Sequence, residues 1–158
     1  MTAEEKLLLI SKIENGIVID HIPVGFGLKI LALFHSYPEM RAVVATVGLN
    51  YSSRKLGAKD MIKLQTEQLP ARVLDHIAVV CSGVTIKRIR DYHVERKFVV
   101  GLPEVILGQA RCRNPGCITN HERDATPRFV RVDAPSKRFR CCFCERIFRL
   151  DELELSGS

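Results

Sequence analysis

The chain has 158 residues, 46% of them hydrophobic, which argues against a disordered polymer and allows either one medium domain or two small ones. Its net charge of +6 favours anionic partners such as nucleotides, nucleic acid or an acidic protein surface, although the basic residues are spread along the chain. No run approaches the roughly 18 consecutive apolar residues of a membrane-spanning helix, and the acidic start MTAEEKLLLISK is unlike a secretory signal.

The first hundred residues alternate between β-branched runs and segments with helical spacing of apolar residues. In chain order the sequence predicts a strand over 16–22, a helix over 26–35, a strand over 42–49, a polar turn over 50–53, a strand over about 60–64, a second helix from Pro70, and extended segments over 84–89 and 92–100. The order strand, helix, strand, strand, helix, strand is typical of a ferredoxin-like fold, in which two helices cover one face of an antiparallel sheet. The other face is left for a ligand, a partner or water.

Strand alternation predicts which side chains lie on this open face. In the first strand, Ile17 and Ile19 are expected to face the helices, which places Asp20 on the opposite side. Lys59 and Lys63 share a parity along their strand and are candidates for the same surface. Two interpretations remain open: a solvated ionic face, or a nucleotide pocket in which lysines neutralise phosphates and a carboxylate accepts a ribose hydroxyl.

A second module is indicated by the cysteines, because five of the six lie between Cys112 and Cys144. The strand-like run before it ends in turn-forming residues at 101–103. We therefore place an N-terminal domain at residues 1–101 and a small all-β domain at 102–158, so that the fold class of the whole chain is α+β.

The second module carries the strongest local signal of a ligand. We expect a cytoplasmic protein, in which clustered cysteines bind metal more often than they form disulfides. The spacings Cys112-x4-Cys117 and Cys141-x2-Cys144 supply four thiolates for tetrahedral zinc. A domain this small buries little surface, so a bound metal ion is a reasonable source of its stability. Cys142 is expected to be a spare thiol that points away. Disulfide, redox and iron–sulfur interpretations are the alternatives.

Nothing in the sequence indicates catalysis. A closed four-thiolate site has no open position for water or substrate, so the zinc is expected to be structural. The chain has no phosphate-binding glycine loop, no nucleophile elbow and no paired-histidine zinc motif. Cys81 is expected to be a small core residue, and His121 is only a weak alternative to the cysteine ligands.

Several short motifs follow one another over nearly the whole chain. They are Gly16-x-Val18-Ile19-Asp20-His21-Ile22-Pro23, Gly48-Leu49-Asn50, Gly57-x-Lys59-Asp60-x-Ile62-Lys63, Arg88-Ile89-x-x-Tyr92-x-Val94, Leu102-Pro103-Glu104, Cys112-x4-Cys117-Ile118 and Cys141-x2-Cys144-Glu145-x-x-Phe148. Each is weak apart from the cysteines, but together they resemble the regulatory chain of aspartate carbamoyltransferase.

The resemblance implies an allosteric subunit of pyrimidine biosynthesis with no chemistry of its own. Its N-terminal domain would bind nucleoside triphosphates, with CTP and UTP inhibiting and ATP activating, and would pair with the same domain of a second regulatory chain. Its C-terminal domain, with one structural zinc ion, would dock on the catalytic chain. The implied assembly has two catalytic trimers and three regulatory dimers.

The resemblance also implies the nucleotide contacts. Asp20 and Lys63 would contact ribose and base, whereas His21 and Lys97 would contact phosphates. The other positions implied to line or border the pocket are Lys12, Ile13, Val18, Asn50, Lys59, Lys87, Tyr92 and Val94. Asn50 would lie near the phosphates, where it serves a second nucleotide or a metal. Lys12 and Lys87 depart from the small or amide side chains of the family, and we expect the added charge to tighten phosphate binding.

Two rival functions come from other classes. A zinc-ribbon protein that binds nucleic acid is supported by the arginines of the cysteine module, but this module lacks interleaved exposed aromatic residues and is followed by an acidic segment at 151–154. We therefore expect no nucleic-acid partner. A thiol oxidoreductase using Cys141, Cys142 and Cys144 would need a cysteine of lowered pKa.

Overall fold

The N-terminal part of the chain forms one five-stranded sheet with two helices. A computed structural model describes residues 10–155. Its elements up to residue 99 are β1 (Gly16–Ile22), α1 (Phe26–Phe34), a 3-10 turn (Pro38–Met40), β2 (Ala45–Ser53), β3 (Gly57–Leu64), α2 (Ala71–Val80), β4 (Thr85–Arg90) and β5 (His93–Val99). The strand order is β2-β3-β1-β4-β5, and each neighbouring pair is antiparallel.

The helices cover one face of this sheet, and the apolar core lies between the helices and the sheet. Ile19 on β1 and Ile62 on β3 are directly opposite each other and have no exposed surface. Ile30 of α1 and Ile77 of α2 are equally buried in the same cluster. The α+β class with two helices and antiparallel sheets is thereby confirmed.

Strand β2 differs from the prediction at both ends. It begins at Ala45 rather than at residue 42, and the turn predicted at 50–53 is wrong because the strand continues to Ser53. The pairing with β3 shifts register between Gly48 and Tyr51, and Asn50 has a φ of 61°. A bulge with Asn in the left-handed region continues an edge strand through polar residues that face solvent. The turn itself lies at 54–56.

The segment predicted as extended from Tyr92 to Val100 also begins with a turn. Asp91 and Tyr92 have φ values of 49° and 64°. Two consecutive residues with positive φ form the two-residue hairpin connection whose twist matches the adjoining strands. Helix α1 ends at Phe34, and His35, the last residue of the predicted helix, is its C-cap.

The C-terminal part forms two small antiparallel sheets. Its strands are β6 (Val105–Leu107), β7 (Ala110–Arg111), β8 (Arg128–Asp133), β9 (Arg138–Cys141), β10 (Ile147–Arg149) and β11 (Glu154–Leu155), with 3-10 turns at Ile118–Asn120 and Leu150–Glu152. The order is β10-β9-β8-β6 in one sheet and β11-β7 in the other. Phe129 and Phe139 are fully buried in its core, and Val79 of α2 joins the same cluster, so the two modules are packed against each other.

Over residues 10–155, neither helix combines the length and the apolar character needed to cross a bilayer.

Candidate functional sites

Four cysteines of the second module converge on one point. The Sγ atoms of Cys112, Cys117, Cys141 and Cys144 all lie within 4.8 Å of one another. The Cys112–Cys144 and Cys117–Cys141 Sγ–Sγ distances are 3.7 and 3.8 Å. Thiolates held about 2.3 Å from a tetrahedral zinc ion lie about 3.8 Å apart, so the four side chains fit zinc.

Two turns bring these cysteines together. Cys112 follows β7 and Cys117 precedes a 3-10 turn, whereas Cys141 ends β9. The backbone N–H of Glu145, whose φ is 63°, donates to the Cys141 carbonyl at 2.9 Å, which closes the turn that carries Cys144. A short loop of this kind allows two thiolates only three residues apart to reach the same ion.

The cluster is mostly buried, which shapes the protonation of its thiols. Burial raises the pKa of Cys112 and Cys141, so metal binding there must displace protons. Burial acts to raise the pKa of Cys144 as well, but hydrogen bonds from the Asn114 side chain, the Arg146 backbone and the neighbouring thiols lower it to about 7. Cys144 thus loses its proton more readily than Cys112 or Cys141.

The remaining candidates lie outside this cluster. Cys142 is exposed, and its sulfur is 3.5 Å from a guanidinium nitrogen of Arg128. Cys81 is buried in the N-terminal core, and this burial raises the pKa of its thiol to about 11. The ring Nε2 of His121 lies 2.7 Å from the Pro115 carbonyl, to which it donates, so this atom is not directed at the thiolates.

The second candidate site is the sheet face opposite the helices. Directly opposite residues of antiparallel strands share a face, and one cross-strand row runs over all five strands. This row is Thr46, Lys63, Val18, Lys87 and Lys97. Lys63 and Lys87 thus flank Val18, and Lys97 lies beyond Lys87; these residues form what we call the lysine row.

Asp20 lies beside this row and is almost completely buried, with 3% of its surface exposed. Its two carboxylate oxygens lie 2.7 Å from the ammoniums of Lys59 and Lys87, and one also accepts the His21 N–H at 2.7 Å. Burial would raise the pKa of this carboxyl, but these hydrogen bonds bring the pKa well below its usual value. Asp20 is therefore ionised at neutral pH and holds the two lysines in place.

Lys63 links the lysine row to a cavity beside β3. Its ammonium donates to the Ser11 carbonyl at 2.7 Å. The cavity, of about 680 Å³, is lined by Ile10, Ser11, Lys12, Ile13, Glu14, Asn15, Thr46, Gln65, Thr66 and Glu67. Burial lowers the pKa of Lys63, and the nearby Lys12 adds to this effect, whereas Asp20 opposes it. An anion near Lys63 would be favoured by both ammoniums.

His21 and Asn50 lie at bulges beside Asp60. Burial lowers the pKa of His21, and its Nδ1 is buried without a hydrogen-bond partner among the described residues. The Asp60 carboxylate accepts the Asn50 N–H at 3.0 Å and the N–H groups of Gly25 and Gly27 at 3.1 Å. Asp60 thus fixes the start of α1 and the β2 bulge together.

Tyr92 and Val94 are more peripheral. They are 58% and 53% exposed and lie at the β4–β5 turn and the start of β5, away from the Asp20 carboxylate. The Tyr92 N–H nevertheless donates to the Glu14 carbonyl at 3.0 Å, which ties this turn to the lining of the cavity.

Sequence reasoning missed Ser11, Thr46 and the anchoring role of Asp60. Only Asp60, inside the motif that begins at Gly57, had a sequence signal.

The comparisons with known proteins identify the family. The allosteric domain of the aspartate carbamoyltransferase regulatory chain matches residues 8–101, and the metal-binding domain of that chain matches residues 104–154. The chain belongs to the family of aspartate carbamoyltransferase regulatory chains. The resemblance drawn from the motifs is confirmed, and the four-cysteine cluster lies within the metal-binding domain.

The relatives match almost from end to end. The regulatory chain of Thermofilum pendens is 41% identical over 152 residues, which are 96% of this chain and 94% of the relative. That of Pyrobaculum neutrophilum is 42% identical over 149 residues, or 94% and 98% of the two chains. That of Pyrococcus abyssi is 39% identical over 146 residues, or 92% and 95%. As a member of this family, the chain is a non-catalytic subunit with a metal-binding domain whose four cysteines can hold one zinc ion.

Proposed function

We propose that this chain is the nucleotide-sensing subunit of an aspartate carbamoyltransferase. Through this subunit, CTP and UTP inhibit the enzyme and ATP activates it. The observation that carries the proposal is the lysine row beside the buried Asp20, with a cavity at one end. A nucleotide needs several ammoniums near its phosphates, and an apolar or backbone-lined recess for its base. Among the described residues, this face combines both.

In the proposed complex the nucleotide lies across the strands. Adjacent strands are about 4.8 Å apart, so the three steps from Lys63 on β3 to Lys97 on β5 span about 14 Å. A nucleoside triphosphate placed there has its base near Lys12 and Ile13, and its phosphates near Lys97 and His21. Oδ2 of Asp20 keeps one lone pair for a ribose hydroxyl, since the carboxylate already accepts from Lys59, Lys87 and the His21 N–H.

The remaining implied contacts complete this pocket. Val18 forms the floor between the lysines, and Lys59 and Lys87 add positive charge around Asp20. Tyr92 and Val94 close the side of the base from the β4–β5 turn. His21, whose Nδ1 makes no hydrogen bond within the described residues and lies 3.8 Å from the Asp20 carboxylate, is proposed to contact a phosphate oxygen. Asn50 is proposed to serve a second nucleotide or its metal ion.

The ferredoxin-like interpretation of the nucleotide-binding domain belongs to this proposal. The order β2-β3-β1-β4, with α1 and α2 between the strands, supports it, and β5 extends the sheet at one edge. We place this domain at residues 1–101 and the zinc domain at 102–158; residues 1–9 and 156–158 lie outside the described range. The same domain is proposed to pair with that of a second regulatory chain, in the cytoplasm.

The zinc domain is proposed to dock on the catalytic chain. A small domain stabilised by a buried four-thiolate centre offers a rigid surface, and its many arginines suit an acidic partner surface. A nucleotide shifts the assembly only if it binds one quaternary state more tightly than the other. Val79, which packs into the core of the zinc domain, gives α2 a direct contact through which this preference reaches the second domain.

Copurification with the catalytic chain of the same organism tests the proposal. We expect a stable, zinc-dependent complex whose carbamoyltransferase activity falls with CTP and rises with ATP. A zinc-loaded chain that forms no complex would overturn the proposal, and binding of DNA that weakens steeply with salt would then favour the nucleic-acid alternative. A complex that ignores all nucleotides would overturn only the sensing role.

A further inference from the structure

A second cavity lies where the two modules meet, and its lining includes neither the lysine row nor the four cysteines. Its volume is about 470 Å³, within the range of small-molecule sites, which often occur at such junctions. It is lined by Phe26, Lys29, Val79, Val80, Ser136, Lys137, Arg149, Leu150, Asp151, Leu153 and Leu155. Neither the proposed nucleotide site nor the metal centre includes any of these residues.

The walls of this inter-module cavity are apolar and come from both modules. Val79 and Val80 end α2, whereas Leu150, Leu153 and Leu155 follow β10. Val79 and Leu153 are 2% and 6% exposed and belong to one buried cluster, so the floor is part of the packed interface rather than a loose surface. An apolar group bound there would be shielded from water on two sides.

The polar groups of the cavity are mainly cationic. Arg149 lies 3.1 Å from the Asp151 carboxylate, which is the one acid of the lining. Lys29, from α1, and Lys137, from the β8–β9 turn, are not held by an ion pair within residues 10–155. The Lys29 ammonium is directed over the ring of Phe26, 4.7 Å from its centroid. The lining therefore carries an excess of two positive charges.

Lys29 and Lys137 line the same cavity although they belong to different modules. Both charges also influence the thiol of Cys81 at the end of α2: burial raises its pKa to about 11, and the two positive charges act in the opposite direction. Two cations in the lining of one cavity, beside an apolar floor, match a ligand that has an anionic head and an apolar body.

We propose that the inter-module cavity binds a small organic anion, with its carboxylate or phosphate between Lys29 and Lys137 and its apolar body against Val79, Val80 and Leu153. One lysine comes from each module, so the ligand binds only while the modules keep this arrangement. By linkage, such an anion changes the affinity of any ligand whose binding alters the arrangement of the modules.

The test uses phenyl phosphate as the probe and the zinc-loaded full chain as the protein, with amide chemical shifts as the readout. We expect shifts at Lys29, Val80, Lys137 and Leu153 that saturate. Inorganic phosphate, which lacks the apolar body, is expected to bind about tenfold more weakly. Lys29→Gln and Lys137→Gln should each weaken phenyl phosphate about tenfold, because each removes one charge-assisted hydrogen bond.

Lys12→Gln is the matched control, because it removes the same charge beside the other cavity. It should leave the shifts at the inter-module cavity unchanged. Shifts confined to the sheet face around Lys63, or equal binding of phenyl phosphate by wild type, Lys29→Gln and Lys137→Gln, would overturn the proposal. Equal affinities for phenyl phosphate and inorganic phosphate would overturn the role given to the apolar floor. Lys29 and Lys137 are exposed, so their variants are expected to fold.

Discussion

The ammonium of Lys87 on β4 lies 2.7 Å from the carboxylate of Asp20 on β1, and the ammonium of Lys59 holds the other carboxylate oxygen at the same distance. The side chain of Asp20 is 5% exposed, and those of Lys59 and Lys87 are 16% and 24% exposed. This arrangement concentrates positive charge over a buried carboxylate. It makes the ionisation of Asp20 a condition for the geometry of the whole sheet face.

The first prediction concerns acid stability. The folded pKa of Asp20 lies below its unfolded value of about 3.9. Ionised Asp20 therefore stabilises the fold at every pH above that value, and the contribution is lost as pH falls through the folded pKa. We expect Asp20→Asn to lower the free energy of unfolding at pH 7 by about 1–3 kcal/mol, the cost of leaving charged donors without their partner.

Urea unfolding of wild type and Asp20→Asn, measured from pH 7 down to pH 2, checks this. The difference between the two proteins should stay constant above about pH 5 and shrink below about pH 4. Taking the difference removes the acid sensitivity of the zinc domain, which both proteins share. A difference that grows as the pH falls would contradict the assigned direction of the pKa.

The second prediction separates nucleotide binding from assembly. Lys63→Gln removes the ammonium that joins the lysine row to the cavity, while a side chain of similar length stays in β3. We expect CTP affinity, measured by calorimetry, to fall by about tenfold or more, since a charge-assisted contact is lost. Complex formation with the catalytic chain should be unchanged.

Arg123→Gln, an equal change of charge at an exposed position of the other module, is the control for this second prediction. It should leave CTP affinity within about twofold of wild type, because isolated exposed charges interact weakly. Loss of assembly in Lys63→Gln would contradict the separation of the two roles.

The sequence predicts the parts of this fold that depend on neighbouring residues, and it misses those that depend on pairing between separate strands. The first strand was placed at the residues it occupies, Gly16–Ile22, because a β-branched run stopped by Pro23 is a local signal. The four cysteines cluster as predicted, because two short spacings within a small module are a local signal of one metal site. The continuation of β2 through Asn50 was missed, since a bulge depends on pairing with β3 and not on local polarity.

The candidate site on the sheet face was likewise predictable only in its local features. Alternation was enough to put Asp20 and Lys63 on one face, because parity along a strand needs no tertiary information. The contact between Lys87 and Asp20 joins residues that are far apart in the chain, and it follows only from the register of β4 against β1. The same holds for Asp60, whose hydrogen bonds reach both the start of α1 and β2.

A third prediction tests that anchoring by Asp60. A Cβ on Gly27 would lie 2.8 Å from Cβ and 2.9 Å from Oδ2 of Asp60, closer than real Cβ contacts. Gly27→Ala must therefore displace a carboxylate that is 1% exposed and accepts three backbone N–H groups. We expect a loss of about 2–3 kcal/mol in the free energy of unfolding by urea.

Gly101→Ala is the control for the third prediction, since a Cβ there meets nothing within 4 Å. It should change stability by no more than about 0.5 kcal/mol. Equal stability of the Gly27 and Gly101 variants would mean that the Asp60 carboxylate shifts without cost, and that it does not anchor α1.

The last prediction distinguishes the metal ligands from the neighbouring free thiol. Cys117 is 1% exposed and its Sγ lies 3.8 Å from that of Cys141, whereas Cys142 is exposed outside the cluster. Cys117→Ser leaves three thiolates for an ion that needs four, and small zinc domains depend on the metal for folding. We expect zinc per chain, measured by atomic emission, to fall to near zero and assembly with the catalytic chain to be lost. Cys142→Ser should keep both. The opposite pattern would place Cys142 in the ligand set in place of Cys117.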